Sequence, residues 1–182
     1  MKEVAHQLRL VTQASSPDDS MVSNPLANLA AEGDADLCEI VEILQAVCHS
    51  AYAAISIRED DFCHLAVTAG LEPFRSRATE GFCLYTLDCH YTFAVGDASV
   101  DDRFKDSPYV SADSLGIRSF ASAPIYDRSQ EMVGRLCVFD PGENHFDEAR
   151  LRALSTLARN VSGIVALHQQ RLNQGESRGK AL

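Results

Sequence analysis

The reading of this chain turns on Gly81–Asp140, and above all on VGDASVDDRFKDSPYV (95–110) followed by IRSFASAPIYDRSQEMVGRLCVFD (117–140). The first of these is polar and irregular, with Asp97, Asp101, Asp102, Arg103 and Asp106 close together. The second reads as two apolar strands, Arg118–Tyr126 and Met132–Asp140, joined by the charged turn DRSQE. Pro124 limits the first strand to a place where its missing backbone donor is not needed in a ladder. Compact domains seldom keep some 20 residues of loop without a task for it. The loop is therefore expected to wall a pocket against the strands that follow.

Outward from this centre, Tyr52–Arg58 alternates, with Ala53, Ile55 and Ile57 on one face and Ser56 and Arg58 on the other. That pattern predicts a strand with one buried side. Glu59-Asp60-Asp61 turns the chain, and Phe62–Ala69 returns as the hairpin partner. Upstream, an aspartate at 34 or 36 caps a helix whose stripe is Leu37, Ile40, Val41, Leu44 and Val47/Cys48. Downstream, Asp147 caps a helix to about Arg171, striped by Leu151, Leu154, Ala158, Val161 and Val165. Val4, Leu8 and Val11 predict a short helix in residues 1–11, followed by the Ser-, Asp- and Pro-rich TQASSPDDSMVSNP, which reads as a linker. The expected organisation is a flexible arm over 1–33, one domain over 34–171 and a frayed tail over 172–182. Strand runs between terminal helices predict an α+β fold with an antiparallel sheet, both helices on one face and the loop on the other.

Composition narrows the partners. With 26 acidic against 16 basic residues the net charge is -10, which disfavours nucleic acid and anionic membrane surfaces. No span approaches 18 apolar residues and no N-terminal apolar run preceded by basic residues is present, so a cytoplasmic location is expected. The six cysteines lie among apolar neighbours without a CxxC pair, as small buried hydrophobes do in a reducing compartment.

From about Leu37 to Arg171 the chain resembles a GAF domain, a PAS-related fold, of the bacterial sensory type. The resemblance is carried by the hairpin ending in Gly70-Leu71, by GFC with Thr86 (81–86), by VGDASVDDRF through Val110, by IRSFASAPI (117–125) and by VGRLCVFD (133–140). It implies a small-molecule pocket on one sheet face and a helical dimer bundle on the other. With about ten residues left after Arg171, it implies a free-standing sensory homodimer that passes its signal to a separate protein.

The residues expected to meet a ligand are Phe82, Cys83, Thr86, Asp97, Asp101, Arg103, Phe104, Val110, Arg118 and Phe120. Two readings stay open for several of them. Asp97 and Asp101 either bond a polar ligand or cap a turn at 100–105, with Arg103 pairing locally. Arg118 either anchors an anion in the pocket or reaches to the sheet edge. Phe104 plugs the loop, and Phe82, Cys83 and Thr86 share the inward side of a short helix, where filling the core is the plainer role.

Cys48-His49, Cys63-His64 and Cys89-His90 bring to mind bilin-binding relatives, but Cys89-His90 precedes Gly96-Asp97 where those place the pair after it. Neighbouring strand residues point to opposite faces, so Cys63 and His64 cannot share a metal, and no zinc site is expected. Cys83 is similar in position to a functional cysteine of the free methionine sulfoxide reductases, a chemistry that needs a low-pKa thiolate beside a resolving thiol such as Cys89. The NKFDE pattern of nucleotide-binding relatives is not intact, since no asparagine lies between Asn28 and Asn144. The expected function is a non-catalytic small-molecule sensor, with a thiol reductase, a photosensor and a pure dimerisation module as its rivals.

Overall fold

The computed structural model describes residues 24–86, 89–143 and 146–179. The helix expected in residues 1–11 lies outside them, as does the chain's last stretch, 180–182. The elements run α1 (Pro25–Ala31), α2 (Ala35–Cys48), β1 (Tyr52–Glu59), β2 (Phe62–Ala69), β3 (Phe74–Arg77), α3 (Cys83–Thr86), β4 (Phe93–Val95), β5 (Ser119–Tyr126), β6 (Met132–Asp140) and α4 (Glu148–Gly179). One six-stranded antiparallel sheet is ordered β3-β2-β1-β6-β5-β4. This is the expected α+β, GAF-like architecture.

The helix layer follows from the stripes read in the sequence. Leu37, Val41, Leu44 and Cys48 of α2 and Leu154, Ala158, Val161 and Val165 of α4 pack on Ala53, Ile55 and Ile57 of β1 and on Leu136 and Val138 of β6. Asp34 caps α2 by accepting from the Leu37 amide at 3.1 Å, and His49 ends it in the left-handed region. Asp147 accepts from the Arg150 amide at 2.8 Å, as expected of the α4 cap. The sharp corner out of β2 depends on Gly70, whose φ is +83°. A Cβ there would lie 2.2 Å from the Ala51 carbonyl oxygen.

Four expectations need correction. The flexible arm does not extend to residue 33, because α1 sits in the core with Leu26, Ala27 and Leu29 buried. The signal lay in Asn24-Pro25: Asn24 Oδ1 accepts from the amides of Leu26 and Ala27, and proline suits the first helical position. Leu26 reaches the sheet where Gly134 leaves room, since a Cβ at 134 would fall 2.6 Å from Leu26 Cδ2. At the other end α4 does not fray after Arg171 but continues to Gly179.

The sheet also differs from its sequence reading. It holds six strands rather than four, because β3 and β4 have only 4 and 3 residues, too few for their alternation to stand out in the sequence. Strand β1 is buried on both sides instead of one, with Ala54 and Ser56 covered as fully as Ile55. The register slips where Ile55 faces Val67 and Ser56 faces Leu65, leaving Ala66 as a bulge in β2. The bulge sends Val67 and Ala69 to the helix layer but Leu65 and Cys63 to the opposite side. Pro124 lies beyond the end of β4, whose pairing with β5 stops at Ser122, so β5 has a single neighbour there.

Candidate functional site

The face of the sheet away from the helices is floored by alternate strand residues. Ala54 and Ser56 of β1, Cys63 and Leu65 of β2, Phe120 and Ser122 of β5, and Arg135, Cys137 and Phe139 of β6 all point this way. The roof is the chain between β3 and β5. It contributes Phe82 and Thr86 around α3, then Phe104, Tyr109, Leu115 and Ile117 from the irregular segment. Phe82 stacks on Phe120 at 4.7 Å between ring centroids and meets Phe104 at 4.9 Å, while Phe120 meets Phe139 at 5.3 Å. These are favourable aromatic separations. Beneath the roof remains an apolar chamber of about 50 Å³. That is room for no more than a few water molecules.

The expected ligand residues separate into two groups. Phe82, Thr86 and Phe120 line the chamber. Phe104 is fully buried behind Phe82, and Val110 packs half-buried against the same aromatic cluster. The backbone of Cys83 opens α3, but its side chain lies outside the described residues. The charged residues do not line the chamber; they brace the roof.

Arg118 grips Asp97 with two bonds of 2.7 and 2.6 Å and also reaches Glu143 at 2.8 Å. It is neither a free anion anchor in the pocket nor a lone edge cation. Asp97 also accepts from the amide and hydroxyl of Ser99. The hydrogen bonds from Arg118 hold its carboxyl well below the usual carboxylate range. Asp101 accepts from the Arg103 amide at 3.0 Å and pairs in a fork with its guanidinium, which lies over the Phe93 and Phe104 rings. That pairing lowers the carboxyl of Asp101 too. Asp101 caps the turn at 100–105, whereas the bonds of Asp97 run to Ser99 and Arg118, outside that turn. The roof is further tied within itself by Ser107 Oγ to the Glu80 carbonyl at 2.9 Å and by the Ile117 amide to the Tyr109 carbonyl at 2.8 Å.

Sequence reasoning missed Arg135. It is 5% exposed in the middle of β6, the strand next to the central β1. Its Nε donates to Ser122 Oγ at 3.0 Å, Nη1 to the carbonyls of Thr86 at 3.0 Å and Cys89, and Nη2 to those of Tyr91 at 3.0 Å and Ser122 at 3.3 Å. The available signal was an arginine inside the apolar run VGRLCVF, on the same strand face as Cys137 and Phe139. No long cation belongs there without acceptors waiting for it.

Two described thiols border the chamber without converging. Cys63 and Cys137 both touch the chamber, but they lie on the two strands flanking β1, opposite Arg58 and Ala54 respectively. Two strand spacings, about 9–10 Å, already exceed the reach of a disulfide. Cys48, among the helices, has its thiol pushed up to about 11 by burial. Among the described residues no group of three His, Cys, Asp or Glu side chains could hold a metal ion, and no helix is long and apolar enough to cross a membrane.

The GAF domain family matches residues 34–165. The chain belongs to the GAF family. Such domains are typically sensory or regulatory. A cyclic di-GMP phosphodiesterase of Pseudomonas aeruginosa is 34% identical over 88 residues, a stretch that is 48% of this chain and 15% of that protein. The chain thus spans under a fifth of its curated relative. Among solved structures, the free methionine-R-sulfoxide reductase of Neisseria meningitidis with its substrate superposes with a TM-score of 0.62 at 18% identity, covering 86% of this chain and 96% of that one. The GAF domain of an Acinetobacter phosphoenolpyruvate-protein phosphotransferase gives 0.60 at 18% identity, covering 93% and 97%. At such identities these likenesses show the fold.

Proposed function

We propose that this GAF domain is a non-catalytic sensor that binds a small molecule on the loop face of its sheet. The observation carrying this reading is the apolar chamber of about 50 Å³ beneath Phe82 and Phe120. Ligand pockets for drug-sized molecules measure about 300–1,000 Å³. The ligand is therefore either only a few heavy atoms in size or enters by pushing the roof aside. In the second case, binding reorders the 96–116 segment and biases the packing of the sheet against the terminal helices.

The helices α2 and α4 carry exposed apolar residues suited to a homodimer: Ile43 and Val47, then Leu167 and Leu172, each 42–57% exposed. A dimer through this layer would hand the changed surface to a separate signalling protein, and sedimentation at micromolar concentration tests it. The decisive experiment for the sensor is a thermal-shift screen of the purified chain against a metabolite library, joined to native mass spectrometry for a co-purified molecule. Binding appears as a concentration-dependent rise in Tm. A flat response with no retained mass leaves a pure dimerisation module. Turnover of free methionine sulfoxide that disappears in Cys83→Ser would instead establish the reductase.

A further inference from the structure

Most arginines with a side-chain partner on this sheet and its loops face a carboxylate: Arg75 pairs with Glu59, Arg103 with Asp101, and Arg118 with Asp97 and Glu143. Arg135 does not. Buried to 5% exposure, it spends its donors on four backbone carbonyls and one hydroxyl, and none of the described residues forms an ion pair with it. Neutral acceptors satisfy its hydrogen bonds but leave a full positive charge uncompensated in a poorly solvated place.

That charge stands at a boundary. On one side is the apolar chamber; on the other, an outer cleft of about 340 Å³. The two share Ser56, Cys63, Thr86 and Arg135 as a common wall. The outer cleft is also lined by Arg58, His90 and Asn24, against one acid, Glu131. Arg58 and Glu131 offset one another, so the net charge an approaching anion meets is the buried guanidinium at the wall, with an apolar space beyond it.

We propose that Arg135 is the charge-recognising residue of this site and that the ligand is a small amphipathic monocarboxylate. This rests on the sensor reading above and names the chemistry of its ligand. The carboxylate takes over donors now given to the carbonyls of Thr86, Cys89 and Tyr91, because a guanidinium bonds an anionic acceptor in a fork more strongly than neutral ones. The short apolar body enters the chamber, which is well below the roughly 150 Å³ that accepts benzene. A cation is repelled at the wall, and a neutral amide of the same shape offers no charge in exchange.

The test uses butyrate, butyramide and butylammonium at matched ionic strength on the whole chain. Butyrate is expected to raise Tm by about 3–6 °C at some tenfold its Kd, and to bind at least tenfold more tightly than butyramide. In wild-type protein, the Arg135 Nε–Hε resonance should move with butyrate and stay with the other two. Arg135→Lys should keep part of the preference as a point charge, and Arg135→Met should lose it. The wild-type resonance decides the matter even if Arg135→Met fails to fold. Equal binding of butyrate and butyramide overturns the role of Arg135 and leaves the sensor reading standing. No response to any of the three overturns the ligand class, and the metabolite screen then judges the pocket separately.

Discussion

The two faces of the sheet are built on different principles. The helix face is aliphatic, with Leu, Ile, Val and Ala from α1, α2 and α4 interlocked with Ala53, Ile55, Leu136 and Val138. The loop face is aromatic and partly polar, with Phe82 and Phe104 of the roof against Phe120 of the floor, which also holds Ser56, Ser122 and Arg135. On the first face regular elements satisfy their own backbone, so side chains only have to fill space. On the second an irregular segment must find acceptors and donors for its backbone. It does so through Asp97, Asp101, Ser107 and the Arg135 clasp. A closely packed layer thus backs a layer held by specific polar bonds, and a small hollow survives only in the latter.

The largest effect that sharpens this contrast is on the aliphatic side. Leu136 is fully buried on β6 between β1 and β5. Leu136→Ala should cost about 2–5 kcal/mol, since the neighbouring strands cannot collapse into the void. Urea unfolding measures it. A loss below about 1 kcal/mol would mean that the helix layer is no more tightly packed than the roof.

A smaller effect is expected across the sheet. Phe82→Leu removes part of a ring that borders a space already empty, and should cost about 1–1.5 kcal/mol. More tellingly, it enlarges the chamber from its present volume of about 50 Å³. Benzene should then raise the Tm of the variant by more than that of the wild type. Equal responses would show that the hollow does not reach Phe82 in solution and would break the comparison.

These two faces were not equally legible in the sequence. The helix layer could be read because Leu37, Val41 and Leu44 and Leu154, Ala158 and Val161 repeat at helical spacing over long stretches. The hairpins β1–β2 and β5–β6 were readable from alternation and from their charged turns. Helix α1 was hidden by its 7-residue length and its Ser- and Asp-rich flank, although Asn24-Pro25 marks its start. The bulge at Ala66 leaves no trace in composition, so the double burial of β1 could not be foreseen. On the loop face, Phe82 and Thr86 of the roof and Phe120 of the floor do line the chamber, since aromatic and small polar residues near an inward turn have few other destinations. The charged residues were harder. A cluster of acids beside two arginines has the same composition as a ligand site or as a set of braces, and only the pairing geometry separates them.

The smallest effect tests that pairing. Because Arg118 depresses the carboxyl of Asp97, the native state holds this group ionised to lower pH than the unfolded chain does. Its contribution to stability is therefore complete above the ordinary carboxylate value near 3.8 and is lost as pH falls toward the depressed native value. Wild type should exceed Asp97→Asn in Tm by a constant margin between about pH 5 and 7, and that margin should narrow below about pH 4. The pair is partly solvated, with Arg118 35% and Asp97 21% exposed, so the margin is modest and shrinks further in high salt. If the margin widened on acidification, Asp97 would be protonated in the folded protein. The brace would then have to be assigned to Glu143 alone. The aspartate would return to the set of groups free to meet a ligand, and the loop face would be less rigidly fastened than its bonds imply.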